Sequence, residues 1–219
     1  MLTIHVADLL LPGGGRDPVP DGAVAVRGRE IAAVGPYEQL AAAHPGARVR
    51  RWPGVLTPGL CNPYGPELLE RAYHPDPREA DDLGTEPLTG EALSALGMTD
   101  ARWGASARRG AQRMLAHGTV AVAGDLWRGT VVDAVTRAGL HREERFTAPR
   151  GTPSLDPFAG RPPGEAFLVP LGPEGVDADF AVFDVPAASG GDPYATLAIH
   201  GAGTCVATVL AGRLVYRRR

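Results

Sequence analysis

Hydrophobic and polar positions alternate in short runs near the start of the chain, and this pattern predicts β-strands joined by turns. Residues 2–11 form one such run, and residues 23–35 hold two more, separated by a tight turn at residues 27–29 that is typical of a β-hairpin. Residues 47–52 predict a further strand. The Pro-Gly pair at residues 53–54 is expected to turn the chain after it.

The middle of the chain changes to helical spacing. The residues up to Leu115 are expected to form a helix, because apolar side chains recur every three or four positions. Thr99 is expected to cap the start of this helix. A buried strand over residues 119–123 follows, then a helix over residues 129–138 and a short strand over residues 145–148. A strand, a helix and another strand in this order predict an α/β unit.

The last third of the chain begins with a stretch rich in proline and glycine, residues 149–165, which is interpreted as a linker. Residues 175–184 then predict a strand, and residues 203–216 a hairpin. The predicted strands therefore gather at the two ends of the chain, on either side of the α/β unit.

Composition excludes several classes of function. The chain has 219 residues and a formal net charge of -3, which gives no electrostatic reason to expect nucleic acid or a membrane as partner. It contains no lysine, which excludes Schiff-base catalysis and a carbamylated-lysine metal bridge; coding bias of a high-GC bacterial genome is the simplest cause. With two cysteines and no signal-peptide pattern, a cytoplasmic protein is expected.

The stretch from Leu56 to Pro66 resembles the opening of the first barrel strand in the amidohydrolase superfamily. It reads Leu-Thr-Pro-Gly-Leu-Cys-Asn-Pro-Tyr-Gly-Pro, where that family usually has Pro-Gly-Leu-Val-Asn-x-His-x-His. Residues 58–60 and Asn62 match the family pattern. The two metal-binding histidines do not, since Tyr64 and Pro66 stand in their places.

The resemblance extends in fixed order along much of the chain. Residues 21–62 follow the family form Asp-Gly-x-Val-x-Val-x-Gly-x-Ile-x-Ala-Val-Gly that leads into Pro-Gly-Leu. Residues 107–125 resemble its helix and His-Gly-Thr strand, residues 175–184 its Gly-x-x-Ala-Asp-Leu-Val-Val-Leu-Asp segment, and residues 203–216 its terminal hairpin. Within the superfamily, the resemblance is to the imidazolonepropionase-like or deaminase-like kind.

The resemblance implies a mixed α/β fold. Residues 1–57 and 166–219 would form a composite β-sandwich, and residues 58–165, including the linker, would be the remnant of a TIM-barrel-like unit. A complete barrel needs at least about 200 residues by itself. Only about 110 residues separate Pro58 from Phe167, so most of the barrel is expected to be missing.

The resemblance also says which chemistry should be present. Members of the superfamily hydrolyse carbon–nitrogen bonds with a metal-activated water, and the metal needs several convergent imidazole or carboxylate ligands. Pro66 has no ligand atom, and a tyrosine such as Tyr64 is not expected to replace a histidine, because a phenol in general keeps its proton at neutral pH. The expectation is therefore a lost metal site, with no metal and no other cofactor.

Five residues near the expected strand ends are candidates for a remaining site. Cys61 would be a nucleophile and Asp125 its acidic neighbour, because the carboxyl ends of adjacent parallel strands meet at one edge. Asn62, Tyr64 and Glu67 would line a ligand cleft beside them. The alternative is that Cys61 is simply a small buried hydrophobic residue, since the sequence names no base beside it.

The six histidines show no His-x-His or His-x-x-x-His spacing. His5 and His200 are assigned to strands. His74 lies in an acidic, proline-broken stretch that is interpreted as a solvated loop.

Two functions remain open. The first is a non-catalytic protein that binds a small molecule or a partner, with homodimerisation suggested by the strand edges that a partial barrel leaves unpaired. The second is a metal-independent hydrolase or lyase that uses Cys61 and Asp125 on a small metabolite containing a carbon–nitrogen bond. Whether the protein is an enzyme is not decided by the sequence.

Overall fold

The computed structural model describes residues 1–172, 174–187 and 191–218. Its strands are β1 (Leu2–Leu10), β2 (Val19–Pro20), β3 (Gly22–Arg27), β4 (Glu30–Pro36), β5 (Arg48–Pro58), β6 (Leu60–Asn62), β7 (Thr119–Ala123), β8 (His141–Glu143), β9 (Phe180–Phe183), β10 (Cys205–Leu210) and β11 (Arg213–Arg217). Its α-helices are α1 (Tyr37–Ala43), α2 (Gly65–Leu69), α3 (Ala80–Leu83), α4 (Gly90–Ser94), α5 (Asp100–Leu115), α6 (Gly129–Ala138), α7 (Pro163–Ala166) and α8 (Pro193–His200). The prediction of a mixed α/β fold is confirmed.

One mixed sheet of eight strands contains both ends of the chain. Its order is β11-β10-β9-β5-β1-β3-β4, with β2 paired to β1. Strand β5 lies parallel to β1 and antiparallel to β9, with Leu56 opposite Val182. The buried side chains Leu10, Phe180 and Val209 belong to one apolar cluster on this sheet. The N-terminal and C-terminal strands therefore stabilise each other directly.

Strand β5 corrects one prediction. The Pro-Gly pair at residues 53–54 was expected to be a turn, but β5 continues through it to Pro58. Gly54 has a φ of +74°, and a Cβ at this position would lie 2.2 Å from the carbonyl oxygen of Phe183. Glycine is thus needed for a local irregularity and a close approach between strands, and not for a chain reversal.

A second sheet of three parallel strands, in the order β6-β7-β8, is built from the middle of the chain. Helices α5 and α6 lie against it, and their side chains Trp103, Met114 and Val135 join one buried cluster. Thr99 caps α5 as predicted, because its Oγ1 accepts a hydrogen bond from the N–H of Arg102 at 3.3 Å. Strand β7, helix α6 and strand β8 therefore confirm the predicted order of strand, helix and strand.

Two local predictions are wrong. The third parallel strand is β8, and residues 145–148 are irregular, because the chain pairs with β7 directly after Leu140. His200 ends helix α8 instead of lying in a strand. That helix begins with Asp192 as its cap and Pro193 in its first turn, a start signal that the strand assignment overlooked.

The longest helix among the described residues is α5, with 16 residues. None of these helices is long and apolar enough to cross a membrane.

Candidate functional site

The carboxyl end of β6 is covered by residues 150–161 of the same chain. The amide of Asn62 donates to the carbonyl oxygen of Ser154 at 2.8 Å, and its Oδ1 accepts from the N–H of Tyr64 at 3.0 Å. The hydroxyl of Tyr64 donates to the carbonyl oxygen of Arg150 at 2.5 Å. Both side chains are buried. The polar atoms of this strand end are therefore engaged by the covering segment.

Cys61 lies partly buried on β6, below the same segment. Arg161 donates from its Nη2 to the backbone carbonyl of Cys61 at 2.5 Å. Burial raises the pKa of the Cys61 thiol to about 11, and the charge of Arg161 offsets only part of that effect. The thiol is therefore protonated at neutral pH, and a protonated thiol is a weak nucleophile.

Glu67 and Asp125 have different surroundings. Glu67, in α2, accepts two hydrogen bonds from the guanidinium of Arg145, at 2.8 and 3.2 Å. Burial favours the neutral acid, but these bonds, a backbone hydrogen bond and the positive charges of Arg145 and Arg71 together hold the pKa of Glu67 below its ordinary value. Asp125 lies in the exposed turn after β7 and makes no hydrogen bond within the described part of the chain.

The structure thus brings together only some of the five candidates. Asn62 and Tyr64 share one hydrogen-bonded strand end, and Cys61 precedes them on β6. Glu67 instead faces a cavity of about 760 Å³ beside α2 and the C-terminal end of α5. No hydrogen bond between described residues joins Cys61 to Asp125. Roles for all five in binding or catalysis stay predictions.

A second cluster was missed by the sequence analysis. His141, Asp177 and Asp179 bring one ligand atom each within 4.8 Å of one another, which is close enough for a metal ion. Nε2 of His141 lies 2.8 Å from Oδ2 of Asp179, and the other oxygen of Asp179 accepts from the N–H of Ala211 at 2.6 Å. The sequence signal was the Asp-Ala-Asp stretch before β9, but nothing local connects it to a histidine on β8.

The charge balance of this second cluster favours an ion-pair network over a metal site. Both carboxylate oxygens of Asp177 accept from the guanidinium of Arg29, at 2.7 and 2.6 Å. The hydrogen bond with Asp179 raises the pKa of His141 above its ordinary value, although partial burial opposes the shift. A metal ion would have to displace Arg29 from Asp177 and the proton from His141, since it needs a neutral imidazole and free carboxylate oxygens.

His74 corrects the prediction of a solvated loop. Its side chain is 1% exposed, and its Nε2 lies 2.8 Å from the carbonyl oxygen of Leu68. It packs so closely on α5 that a Cβ at Gly110 would lie 2.7 Å from that Nε2. Burial lowers the pKa of His74 to about 4. The acidic residues near His74 in the sequence suggested that it is exposed. Gly110 on α5, which has no side chain, leaves room for the imidazole ring to be buried.

Comparisons with known proteins fit this architecture. Residues 22–47, which include β3, β4 and α1, match the model of the imidazolonepropionase-like composite domain of bacteria. This match confirms, for that segment, the resemblance to the amidohydrolase superfamily seen in the sequence. No curated protein matches the chain in sequence.

Several solved structures are similar to the chain. Ochratoxinase from A. niger is 22% identical with a TM-score of 0.44, covering 65% of this chain and 30% of the other. An adenosine deaminase from Xanthomonas campestris is 18% identical with a TM-score of 0.43, covering 64% and 32%. A guanine deaminase from Bradyrhizobium japonicum is 18% identical with a TM-score of 0.42, covering 67% and 35%. The chain thus spans about a third of the length of these structures.

Proposed function

Proceeding from the composite-domain segment and the superfamily resemblance, we propose that this is an amidohydrolase-related protein that has lost the metal site and acts by binding. In this proposal, residues 1–57 and 166–219 form the composite β-sandwich domain. Residues 58–165 are the remnant of the barrel, with residues 149–165 linking the two parts. The shared sheet of β5 and β9 and the parallel order β6-β7-β8 support this division.

The observation that carries the proposal is the closed carboxyl end of β6. Superfamily enzymes place their first metal ligands there, and a catalytic ion also needs an open position for water. Here Pro66 has no donor atom, and the Tyr64 hydroxyl is used to hold Arg150. The nearby Cys61 thiol is protonated, which disfavours it as a ligand. These residues do not fit a catalytic zinc ion.

The alternative function is a metal-independent hydrolase or lyase that uses Cys61 and Asp125. The partly buried thiol beside the cationic Arg161 is the observation in its favour. Two observations oppose it: the pKa of the thiol is high, and Asp125 has no hydrogen-bond partner within the described residues. A nucleophilic cysteine needs a base or a stronger positive field than this to form its thiolate.

One experiment separates binding from catalysis. The protein is incubated with p-nitrophenyl acetate and with p-nitroacetanilide, an ester and an amide whose turnover is visible by colour. Wild type is compared with Cys61→Ala and Asp125→Asn, and Cys205→Ala serves as the matched control because that cysteine is buried in a separate cluster. The proposal predicts that wild type and all three variants show no turnover above a protein-free blank. Turnover that both site variants abolish would establish the catalytic alternative.

A homodimer is the partner that the surface favours. Strand β8 pairs only with β7 among the described strands, so one edge of the three-stranded sheet is open. Two large apolar side chains are exposed in the segments that follow strands of this sheet, Trp127 after β7 at 83% and Phe146 after β8 at 88%. A second copy could cover both features.

Light scattering over a concentration series tests this interface. A dimer is expected whose dissociation constant rises about tenfold in Phe146→Ser, because a buried aromatic ring contributes strongly to an interface. Ile199→Ser is the matched control, since Ile199 is 81% exposed on α8. A monomer at every concentration would exclude the dimer.

A further inference from the structure

A cavity of about 760 Å³ lies outside the closed strand end and has the size of a small-molecule site. Helix α2 and the C-terminal end of α5 form two of its sides, and residues 86–89 and 152–156 form the others. Leu68, Ala72 and Leu155 give it an apolar wall. Among the five candidates from the sequence, only Glu67 faces it.

Two arginines provide hydrogen-bond donors to this cavity that the protein itself does not use fully. Arg71 is 73% exposed at its side chain, and its only ion-pair contact within the described residues is 3.8 Å from Glu67. Arg113 donates from Nη1 to the carbonyl oxygen of Thr85 at 3.0 Å. Its Nη2 has only a loose contact, 3.7 Å from Glu86.

The acidic groups of the lining, in contrast, are satisfied or solvated. Glu67 is held by Arg145, which does not line the cavity. The carboxylate of Asp156 accepts from the backbone N–H groups of Phe158 at 2.8 Å and Ala202 at 3.0 Å. Glu86 is 83% exposed at its side chain, so water screens its charge. Apart from the exposed Glu86, the charged groups of the lining that keep free hydrogen-bonding capacity are therefore the guanidinium groups of Arg71 and Arg113.

The end of helix α5 could repel an anion, because helix carbonyls carry partial negative charge at the C-terminus. Here those carbonyls are occupied. The carbonyl oxygen of Arg113 lies 2.8 Å from Nδ1 of His117, and that of Leu115 accepts from Gly118 at 3.1 Å and from Thr208 Oγ1 at 2.6 Å. Their pairing weakens the negative field at the cavity.

We propose that this cavity binds a small organic carboxylate, with its carboxylate held by Arg71 and Arg113 and its apolar part against Leu68, Ala72 and Leu155. This inference rests on the proposed binding function and names its ligand class. Guanidinium groups match the planar carboxylate with paired hydrogen bonds. The apolar wall and the volume favour a carbon chain over an inorganic anion.

Titration calorimetry with sodium hexanoate tests the site, and hexanamide serves as the uncharged probe of the same shape. Hexanoate is expected to bind saturably, and hexanamide at least about tenfold more weakly, because the charge-assisted bonds are lost. Arg71→Gln and Arg113→Gln should each weaken hexanoate binding by about tenfold. Arg137→Gln is the matched control, since Arg137 is 72% exposed on α6 and lines another region; it should leave the affinity within about twofold.

Three results would overturn the inference: no saturable binding of hexanoate, equal affinity for hexanamide, or unchanged affinity in Arg71→Gln. Arg71 is exposed, so its replacement tests the site even where Arg113→Gln impairs folding through the lost bond to Thr85. These outcomes are independent of the turnover assay. A failed titration beside absent turnover would remove the ligand class and leave the proposed binding function, whereas turnover through Cys61 would remove the function itself.

Discussion

The phenolic oxygen of Tyr64 lies 2.5 Å from the backbone carbonyl oxygen of Arg150, to which it donates a hydrogen bond. These residues are 86 positions apart in the sequence. The bond fixes residues 150–161 over the end of β6, where the superfamily resemblance places metal ligands. Tyr64 therefore tethers this segment, at a position where the resemblance leads one to expect a metal ligand.

Replacing Tyr64 by phenylalanine should loosen residues 150–161 without leaving a cavity in the core. The ring is kept and one hydrogen bond is lost, so a destabilisation of about 1 kcal/mol is expected. Trypsin should also cut faster after Arg150, because the segment opens more often. Tyr37→Phe is the matched control, since the Tyr37 hydroxyl makes no hydrogen bond within the described residues. Equal cleavage rates in both variants would contradict the tether.

Buried His74 should make the protein less stable in acid. Its pKa is lowered from 6.5 to about 4, so the unfolded chain binds a proton that the folded chain excludes. Stability is therefore lost as the pH falls from about 6.5 toward 4, by about 3 kcal/mol for this group. His74→Gln should flatten that slope in urea denaturation, with His44→Gln as the control. A slope unchanged by His74→Gln would show that the folded protein protonates the ring.

His141 should affect the pH dependence of stability in the opposite direction, by stabilising the folded protein in mild acid. Its pKa is raised by the hydrogen bond with Asp179, so its contribution is complete below the ordinary value of 6.5 and is lost as the pH rises through the raised value. The stability difference between wild type and His141→Gln should thus be largest in mild acid. Denaturation series from about pH 5 to about pH 9 measure it. A difference that grows with pH would refute the ion pair.

Cys61 should react slowly with iodoacetamide at neutral pH. A pKa of about 11 leaves a thiolate fraction about a hundredfold below that of an ordinary thiol, and the greater nucleophilicity of that thiolate recovers only part of the rate. Alkylation at least about tenfold slower than that of free cysteine is expected, as measured by mass spectrometry with Cys205→Ala to isolate the site. Alkylation faster than that of free cysteine would indicate an activated nucleophile.

Much of the fold could be predicted because its signals are local. The cap at Thr99, the helical spacing of α5 and the hairpin turn at Gly28 each depend on neighbours within a few residues. The run through Gly54 could not be predicted, since a Pro-Gly pair has the same local meaning in a turn and in an irregular strand. What decides between them is the backbone of Phe183, which is distant in sequence.

The candidate site was less predictable for the same reason. Sequence reasoning placed Cys61, Asn62 and Tyr64 near one strand end, but it could not show that residues 150–161 cover them. The same limit applies to His141, whose partner Asp179 is 38 positions away. Which polar atoms are satisfied depends on tertiary contacts, and no local pattern encodes those.

Zinc content tests the central claim most directly. The His141→Gln variant is dialysed with equimolar zinc and then against metal-free buffer, so that the cluster of His141, Asp177 and Asp179 does not contribute. Elemental analysis is expected to find far less than one zinc ion per chain, with no further loss in the double variant that adds Cys61→Ser. One zinc ion per chain that disappears on adding Cys61→Ser would place a metal at the end of β6 and contradict the account.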